Sequence, residues 1–297
     1  GRKSRFRDVD DIEHLIRVNA KEGVYRFFIT DDNFARNKNW SVIFDRLIEL
    51  LEEGFKLKFL IQVDTVCHKI PGFIEKAARA GVNRVFIGLE SVNPENLVAA
   101  NKPQNKLREY RTMLQQWREQ NVLTHAGYIL GFPADTPQSI DRDIRYIQDE
   151  LPIDILEFFI LTPLPGSADH KALHEQGVWM DPDLNTYDLE HVTVGHPKMT
   201  ASQLAEAYER AWHTYYSPRH VETLLRRAHV DGCGMSKMVG AVMAYYGTYR
   251  YEQLHPLQGG FLRRKLRANR RPNLPKQPIN SPFAIFGNHL IFCSSLP

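Results

Sequence analysis

The chain has 297 residues, of which 43% are hydrophobic and 25% charged, and a formal net charge of +3. That length buries one large core, or one domain with an appendage. The small charge gives no electrostatic reason to expect nucleic acid, and no apolar run reaches the roughly 18 residues that a membrane span needs.

The chain starts at Gly1 rather than Met, and so abrupt a start is expected of a chain that has lost an upstream element. A basic, polar lead-in gives way to a helix over residues 12–20, capped by Asp8 or Asp10 and stopped near Gly23. Residues 25–30, aromatic and β-branched, read as the first strand. Residues 40–53 form an amphipathic helix, with Ile43, Phe44, Leu47, Leu50 and Leu51 on one side and Gly54 behind it. Residues 59–63 are the second strand, 73–80 a short helix closed by Gly81, and 84–89 the third strand. A helix over 107–120 leads into a mostly apolar strand from Leu123, which ends in glycines and turns into a helix near Thr136 and Pro137. Residues 140–149 are helical and 155–161 form the fifth strand. Strands alternating with helices mean βαβ units and a parallel sheet. Their nearly continuous apolar character means that both sheet faces are covered. The fold class is therefore α/β.

The strand ends carry the functional signal. The first runs into Thr30, Asp31, Asp32 and Asn33, the second into Gln62, Asp64 and Thr65, and the third into Glu90 and Ser91. The fourth ends in Gly131-Phe132-Pro133 and the fifth in Thr162-Pro163-Leu164-Pro165-Gly166. Carboxyl ends of parallel strands are where α/β proteins bind ligands. Each such residue, taken alone, is also a good helix cap or turn former. Gly127 and Gly131 let the backbone lie against something flat, or let elements cross tightly. His125 faces a substrate or is packed into the core, and Ile129 has the same two readings.

After Gly166 the chain turns helical: residues 168–176, then an irregular stretch over 178–198, then a long helix capped by Thr200. Pro218 breaks it, and further helices follow over 221–228 and 235–246. This gives a barrel over 1–167, a helical C-terminal extension over 168–250, and a basic, proline-rich tail over 251–297 with Arg263, Arg264, Lys265, Arg267, Arg270 and Arg271. A solvated tail is one reading of that run, and contact with an anionic substrate or nucleic acid the other.

In order, Phe28-Ile29-Thr30-Asp31-Asp32-Asn33-Phe34, Gly88-Leu89-Glu90-Ser91, Gly127-Tyr128-Ile129-Leu130-Gly131-Phe132-Pro133 and Thr162-Pro163-Leu164-Pro165-Gly166-Ser167 resemble radical SAM enzymes. The resemblance is to the cobalamin-binding group, in which a cobalamin domain precedes the barrel, and it covers roughly residues 1–230. It implies a partial (β/α)6 TIM-like barrel, S-adenosylmethionine and a [4Fe-4S] cluster held by CxxxCxxC. It also implies cobalamin through a preceding domain, and reductive cleavage to a 5'-deoxyadenosyl radical or cobalamin-dependent methyl transfer. An electron donor such as flavodoxin or ferredoxin and a small-molecule or lipid-like substrate are implied with it. Thr30, Asp31 and Asp32 stand where the family contacts the methionine amine. Gln62 and Asp64 stand where it reaches ribose or substrate, and Glu90 and Ser91 where it holds ribose and the amino-acid part. Lys102 stands near the cofactor carboxylate, and Gly127, Ile129 and Gly131 lie along adenine.

The departure is in the cysteines. Cys67, Cys233 and Cys293 form no CxxxCxxC, so this chain alone is expected to hold no cluster and to be inactive. Few, unpatterned cysteines also suggest a reducing, cytoplasmic setting. Two other readings use the same residues. Asp31, Asp32, Asp64 and Glu90 as hard oxygen ligands for Mg²⁺ or Mn²⁺ would make a lyase, aldolase or hydrolase. A non-catalytic binding module working through the helical part and the basic run is the other.

Overall fold

The computed structural model describes residues 6–99, 107–231 and 234–257. Asp8 caps the first helix, α1 (Val9–Lys21), by accepting the Asp10 N–H. β1 (Arg26–Phe28) is followed by α2 (Trp40–Glu52), and β2 (Lys58–Asp64) by α3 (Phe73–Arg79). β3 (Val82–Glu90) is followed by α4 (Pro94–Ala99) and α5 (Leu107–Glu119), β4 (Leu123–Leu130) by α6 (Pro137–Glu150), and β5 (Ile155–Ile160) by α7 (Ala168–Glu175). The five strands are parallel and in sequence order, β1-β2-β3-β4-β5. Each crossover steps one place in the same sense, as right-handed βαβ units do, and the sheet curls into a half-barrel with helices on its convex side. Five strands of the expected six-stranded partial barrel thus lie among the described residues.

Strand alternation sorts the side chains. On β2, Phe59, Ile61 and Val63 are buried, while Leu60 and Gln62 alternate with them and are half-buried. The buried set joins Ile43, Phe44, Leu47 and Leu50 of α2 in one hydrophobic core. The Trp40, Phe44, Phe73 and Trp117 rings run through that core in edge and tilted contacts.

Two elements depart from expectation. β1 is three residues long rather than spanning 25–30, because it pairs on one side only and the chain then turns at Asp31, which accepts the Asn33 N–H. The short helix α4 was hidden in an Asn- and Pro-containing stretch. The start of α6 is as read: Thr136 and Ser139 form a reciprocal capping box with Pro137 in the first turn.

The C-terminal helices α8 (Ala201–Tyr215), α9 (Pro218–Val230) and α10 (Met235–Gly247) end in a π-helical turn, Thr248–Glu252. They saturate the outer edge of β5, where a barrel would place another strand. The Tyr216 hydroxyl accepts the Leu156 N–H at 3.2 Å and donates to the Leu156 carbonyl at 2.8 Å. The Leu189 carbonyl accepts the Ile160 N–H at 2.7 Å, and His255 Nε2 lies 3.3 Å from the Phe158 carbonyl oxygen. An edge that would template foreign strands is covered by two side chains and a backbone carbonyl. Arg118 of α5 pairs with buried Asp154 just before β5 and with Asp231 at the end of α9. The core runs without a break from Ile16 to Tyr249. Among the described residues no helix is long and apolar enough to cross a membrane. Lys102 and the basic run Arg263–Arg271 lie outside the described residues.

Candidate functional site at the strand ends

A cleft of about 230 Å³ opens on the concave face, lined by Phe86, Gly88 and Glu90 of β3, Gly127 and Ile129 of β4, Phe159 and Ile160 of β5, and the following Leu161 and Thr162 with Leu189. Three of the sequence-read site residues, Glu90, Gly127 and Ile129, therefore share one cleft. Register explains why: Gly88 pairs with Gly127, and Ile129, two residues on along β4, pairs with Phe159, so the four positions share one face in adjacent rows. The pairing slips between Gly88 and Glu90, a bulge, and Glu90 takes φ of 64°. That left-handed backbone costs a glutamate about 1 kcal/mol and re-aims a side chain at the end of a strand. Strain held at a cleft rim is where function is sought.

Gly127 has a definite reason to lack a side chain. A Cβ there would stand 2.8 Å from Phe86 Cζ and 3.3 Å from Phe159 Cε2. The flat object against this glycine is the protein's own Phe86 ring, and the two phenyl groups floor the cleft. Gly131 turns the chain at φ of 96°. Its N–H and that of Phe132 are both accepted by Asp135, which also receives the Asn96 amide at 2.6 Å.

Several strand-end polar residues are braces. Asp64 is buried, with Asn33 at 2.9 Å, Arg36 at 3.0 Å and the Val66 N–H at 3.2 Å on its carboxylate. Asp31 accepts the Asn37 amide at 2.9 Å. Ser91 is fully buried, its hydroxyl accepting the Asn93 N–H at 3.0 Å and meeting the Asn96 amide at 3.3 Å. Thr30 and Asp32 are exposed, and half-buried Gln62 is in register with Phe86. The metal reading is corrected here: no group of three or more His, Cys, Asp or Glu side chains among the described residues is arranged to hold an ion. Asp31 and Asp64 are instead spent on neighbouring amides and a guanidinium, so Asp31, Asp32, Asp64 and Glu90 do not converge.

Beneath the floor lies a buried polar group that the sequence reading missed in part. His125 Nε2 is 2.9 Å from Glu157 Oε2 and 3.2 Å from the Tyr245 hydroxyl, and His255 Nε2 is 3.7 Å from Glu157 Oε1. His125 meets Phe86 edge-on at 4.8 Å, and His255 lies against Phe159 at 5.5 Å. Burial pushes both imidazoles down in pKa, against the pull of Glu157. His125 is thus a packed residue under the cleft floor. A glutamate inside the apolar run of β5 was the available signal, since such a charge requires a buried partner. His196 was missed too; its Nε2 is 2.8 Å from the Phe132 carbonyl oxygen and pins the turn after β4.

The model of the Radical SAM superfamily matches residues 1–147. Over those residues the chain is a radical SAM domain. It is 26% identical over 215 residues to bacteriochlorophyllide d C-12(1)-methyltransferase of Chlorobaculum tepidum, covering 70% of this chain and 45% of that one. It is 23% identical over 248 residues to hopanoid C-2 methylase of Rhodopseudomonas palustris, covering 75% of this chain and 45% of that one. The chain spans about half the length of the curated relatives it matches. Among solved structures, the radical S-adenosylmethionine methyltransferase TsrM of Kitasatospora setae, with cobalamin and [4Fe-4S] cluster bound, superposes at a TM-score of 0.51 with 18% identity over 69% of this chain and 38% of that one. OxsB, a cobalamin-dependent S-adenosylmethionine radical enzyme with both ligands bound, gives 0.52 with 15% identity over 82% and 42%. At such identities these two structures speak for the half-barrel fold.

The superfamily implies S-adenosylmethionine and a [4Fe-4S] cluster. The described residues do not fit the cluster. Cys67, the described cysteine, is buried in the turn Cys67–Lys69 and burial pushes its thiol up to about 12, far from the thiolate a cluster needs.

Proposed function

We propose that this chain is the S-adenosylmethionine-binding half-barrel of a cobalamin-linked radical SAM methyltransferase, with the cofactor in the cleft between β3 and β5. The observation that carries this reading is Glu90, held at φ of 64° on a bulge beside Gly88 and Gly127, in an otherwise mostly apolar cleft. S-adenosylmethionine has an adenine face to lay against Ile129, Phe159 and Leu161, and ribose hydroxyls and a methionine ammonium to donate to one carboxylate. A carboxylate also favours the positive charges of the sulfonium and ammonium over water. Asp64, Ser91 and Gly131 support the rim through their buried bonds. The methyltransferase assignment draws on the relatives that act on bacteriochlorophyllide d and hopanoids, and the cobalamin assignment on the likeness to TsrM and OxsB. The substrate class stays at a small molecule or lipid-like compound, with a flavodoxin- or ferredoxin-type electron donor. The cluster thiolates are not supplied by the described residues, and no step through a cluster is assigned to them.

The test has two arms. Titrating S-adenosylmethionine into the 297-residue chain by calorimetry is expected to saturate, and Glu90→Gln to weaken binding by about tenfold, since one hydrogen bond to a charged group contributes about 1.5–3 kcal/mol. Unchanged binding removes Glu90 from the site. Anaerobic reconstitution of the parent reading frame with iron and sulfide then asks for a cluster spectrum that changes on adding S-adenosylmethionine, and a parent frame without CxxxCxxC would refute the family chemistry.

A further inference from the structure

A second cavity, of about 240 Å³, lies in the helical extension, away from the strand ends. Its walls are His213 near the end of α8, Tyr216, Ser217 and Pro218 leading into α9, Tyr246 in α10, and Arg250 in the π-helical turn. Its chemistry is one-sided. Arg250 makes no ion pair or hydrogen bond among the described residues, and no aspartate or glutamate lines the space. His213 has a ring contact with Tyr249 at 5.7 Å, and Tyr246 one with Tyr251 at 6.1 Å, so the imidazole nitrogens and the Tyr246 hydroxyl keep their hydrogen-bonding capacity. The Ser217 side chain makes no cap bond although it occupies the N-cap of α9. Tyr216, by contrast, is committed to both polar groups of Leu156 and serves as wall.

A guanidinium, an imidazole and two hydroxyls around one concavity bring a fixed positive charge and several donors with no carboxylate to answer them. We propose that this cavity binds the phosphate group of a phosphate monoester. Arg250 supplies the forked, permanently charged donor, and His213, Ser217 and Tyr246 the remaining donors. Three phosphate oxygens match this set better than the two of a carboxylate, and the tyrosine faces leave an apolar wall for the esterified group.

The probe is phenyl phosphate, titrated into the full 297-residue chain and followed by phosphorus NMR and calorimetry. Wild type is expected to saturate, Arg250→Gln to weaken binding at least tenfold, and His213→Gln to weaken it less. Arg226→Gln removes an equal charge from α9, where Arg226 pairs with Glu222 at 2.6 Å, and is expected to leave binding unchanged. Equal losses for Arg250→Gln and Arg226→Gln would mean general charge attraction and overturn the site, as would absence of saturation. Benzoate binding as tightly as phenyl phosphate would overturn the choice of phosphate. Sedimentation with phosphatidic acid vesicles against phosphatidylcholine vesicles distinguishes the sources. Arg250-dependent capture by phosphatidic acid assigns a lipid headgroup, and phenyl phosphate binding without capture assigns a soluble ester.

Discussion

Gly127→Ala isolates the floor of the strand-end cleft. The added methyl would stand 2.8 Å from Phe86 Cζ and 3.3 Å from Phe159 Cε2, against an ordinary carbon contact of about 3.5–4.0 Å. Phe86 must then retreat by roughly 0.7 Å or more, the gap between those distances. His125 blocks one side of it, edge-on at 4.8 Å, so the open direction is the cleft that Phe86 lines. Overpacking of this kind costs about 1–3 kcal/mol, or roughly 3–10 °C in melting temperature for a domain of this size. The same movement narrows the cleft, so S-adenosylmethionine affinity is expected to fall together with stability. Thermal unfolding followed by circular dichroism and calorimetric titration read the two effects. Adding Phe86→Leu should restore part of the stability, with a coupling between the two changes of about 1 kcal/mol or more in a double-mutant cycle. An alanine variant that melts and binds as wild type, or a double variant with additive losses, would refute the claim that Gly127 is there to seat Phe86.

Arg118→Met leaves Asp154 buried without its guanidinium, a loss of about 3–5 kcal/mol by urea unfolding at pH 7. Burial already raises the Asp154 pKa, and removing Arg118 raises it further, so the folded variant takes up a proton more readily than the unfolded chain. The deficit against wild type should therefore shrink between pH 7 and pH 5, and an equal deficit at both would refute this account. His220 is buried with Nε2 unpartnered, and burial pushes its pKa down to about 4. The unfolded state binds the extra proton, so the contribution of His220 is complete above about pH 6.5 and is lost as pH falls toward 4, up to about 3 kcal/mol. His220→Phe should flatten that acid limb in denaturant melts, and an unaltered slope would remove His220 from it.

The order of strands was legible because each is an apolar run closed by a turn signal, and parallel pairing follows from the helices between them. Residue type at the strand ends was legible, but residue role was not. Asp64 and Ser91 look like ligand-binding groups in a list of polar strand ends. Their role depends on Asn33, which is 31 positions from Asp64, and on Asn96, which is itself bonded to Asp135 39 positions on. Nothing local encodes such partners. Glu90 differs through its backbone: a one-residue slip against β4 puts it at the rim, and no single-strand pattern reports a slip between two strands. Gly127 suits either a flat neighbour or a tight crossing of elements, and a side chain there would meet the Phe86 ring. That ring comes from β3, the preceding strand, 41 positions earlier in the chain by the residue numbers, Phe86 and Gly127.

The two edges of the half-barrel are treated differently, and this bears on what the chain can do. At β5 the edge is saturated by Tyr216, Leu189 and His255. At the other edge β1 pairs only with β2 among the described residues, and Phe28 is 53% exposed. The strand-end cleft lies on the saturated side, its walls drawn from β3, β4, β5 and the segment after β5. Its shape therefore depends on contacts made within the described residues, through the braces at Asp135 and the buried His125–Glu157 pair under the floor. The cleft walls at Glu90, Gly127 and Ile129 are held without contacts at the β1 edge, which is why a binding titration on the 297-residue chain tests the proposed site directly.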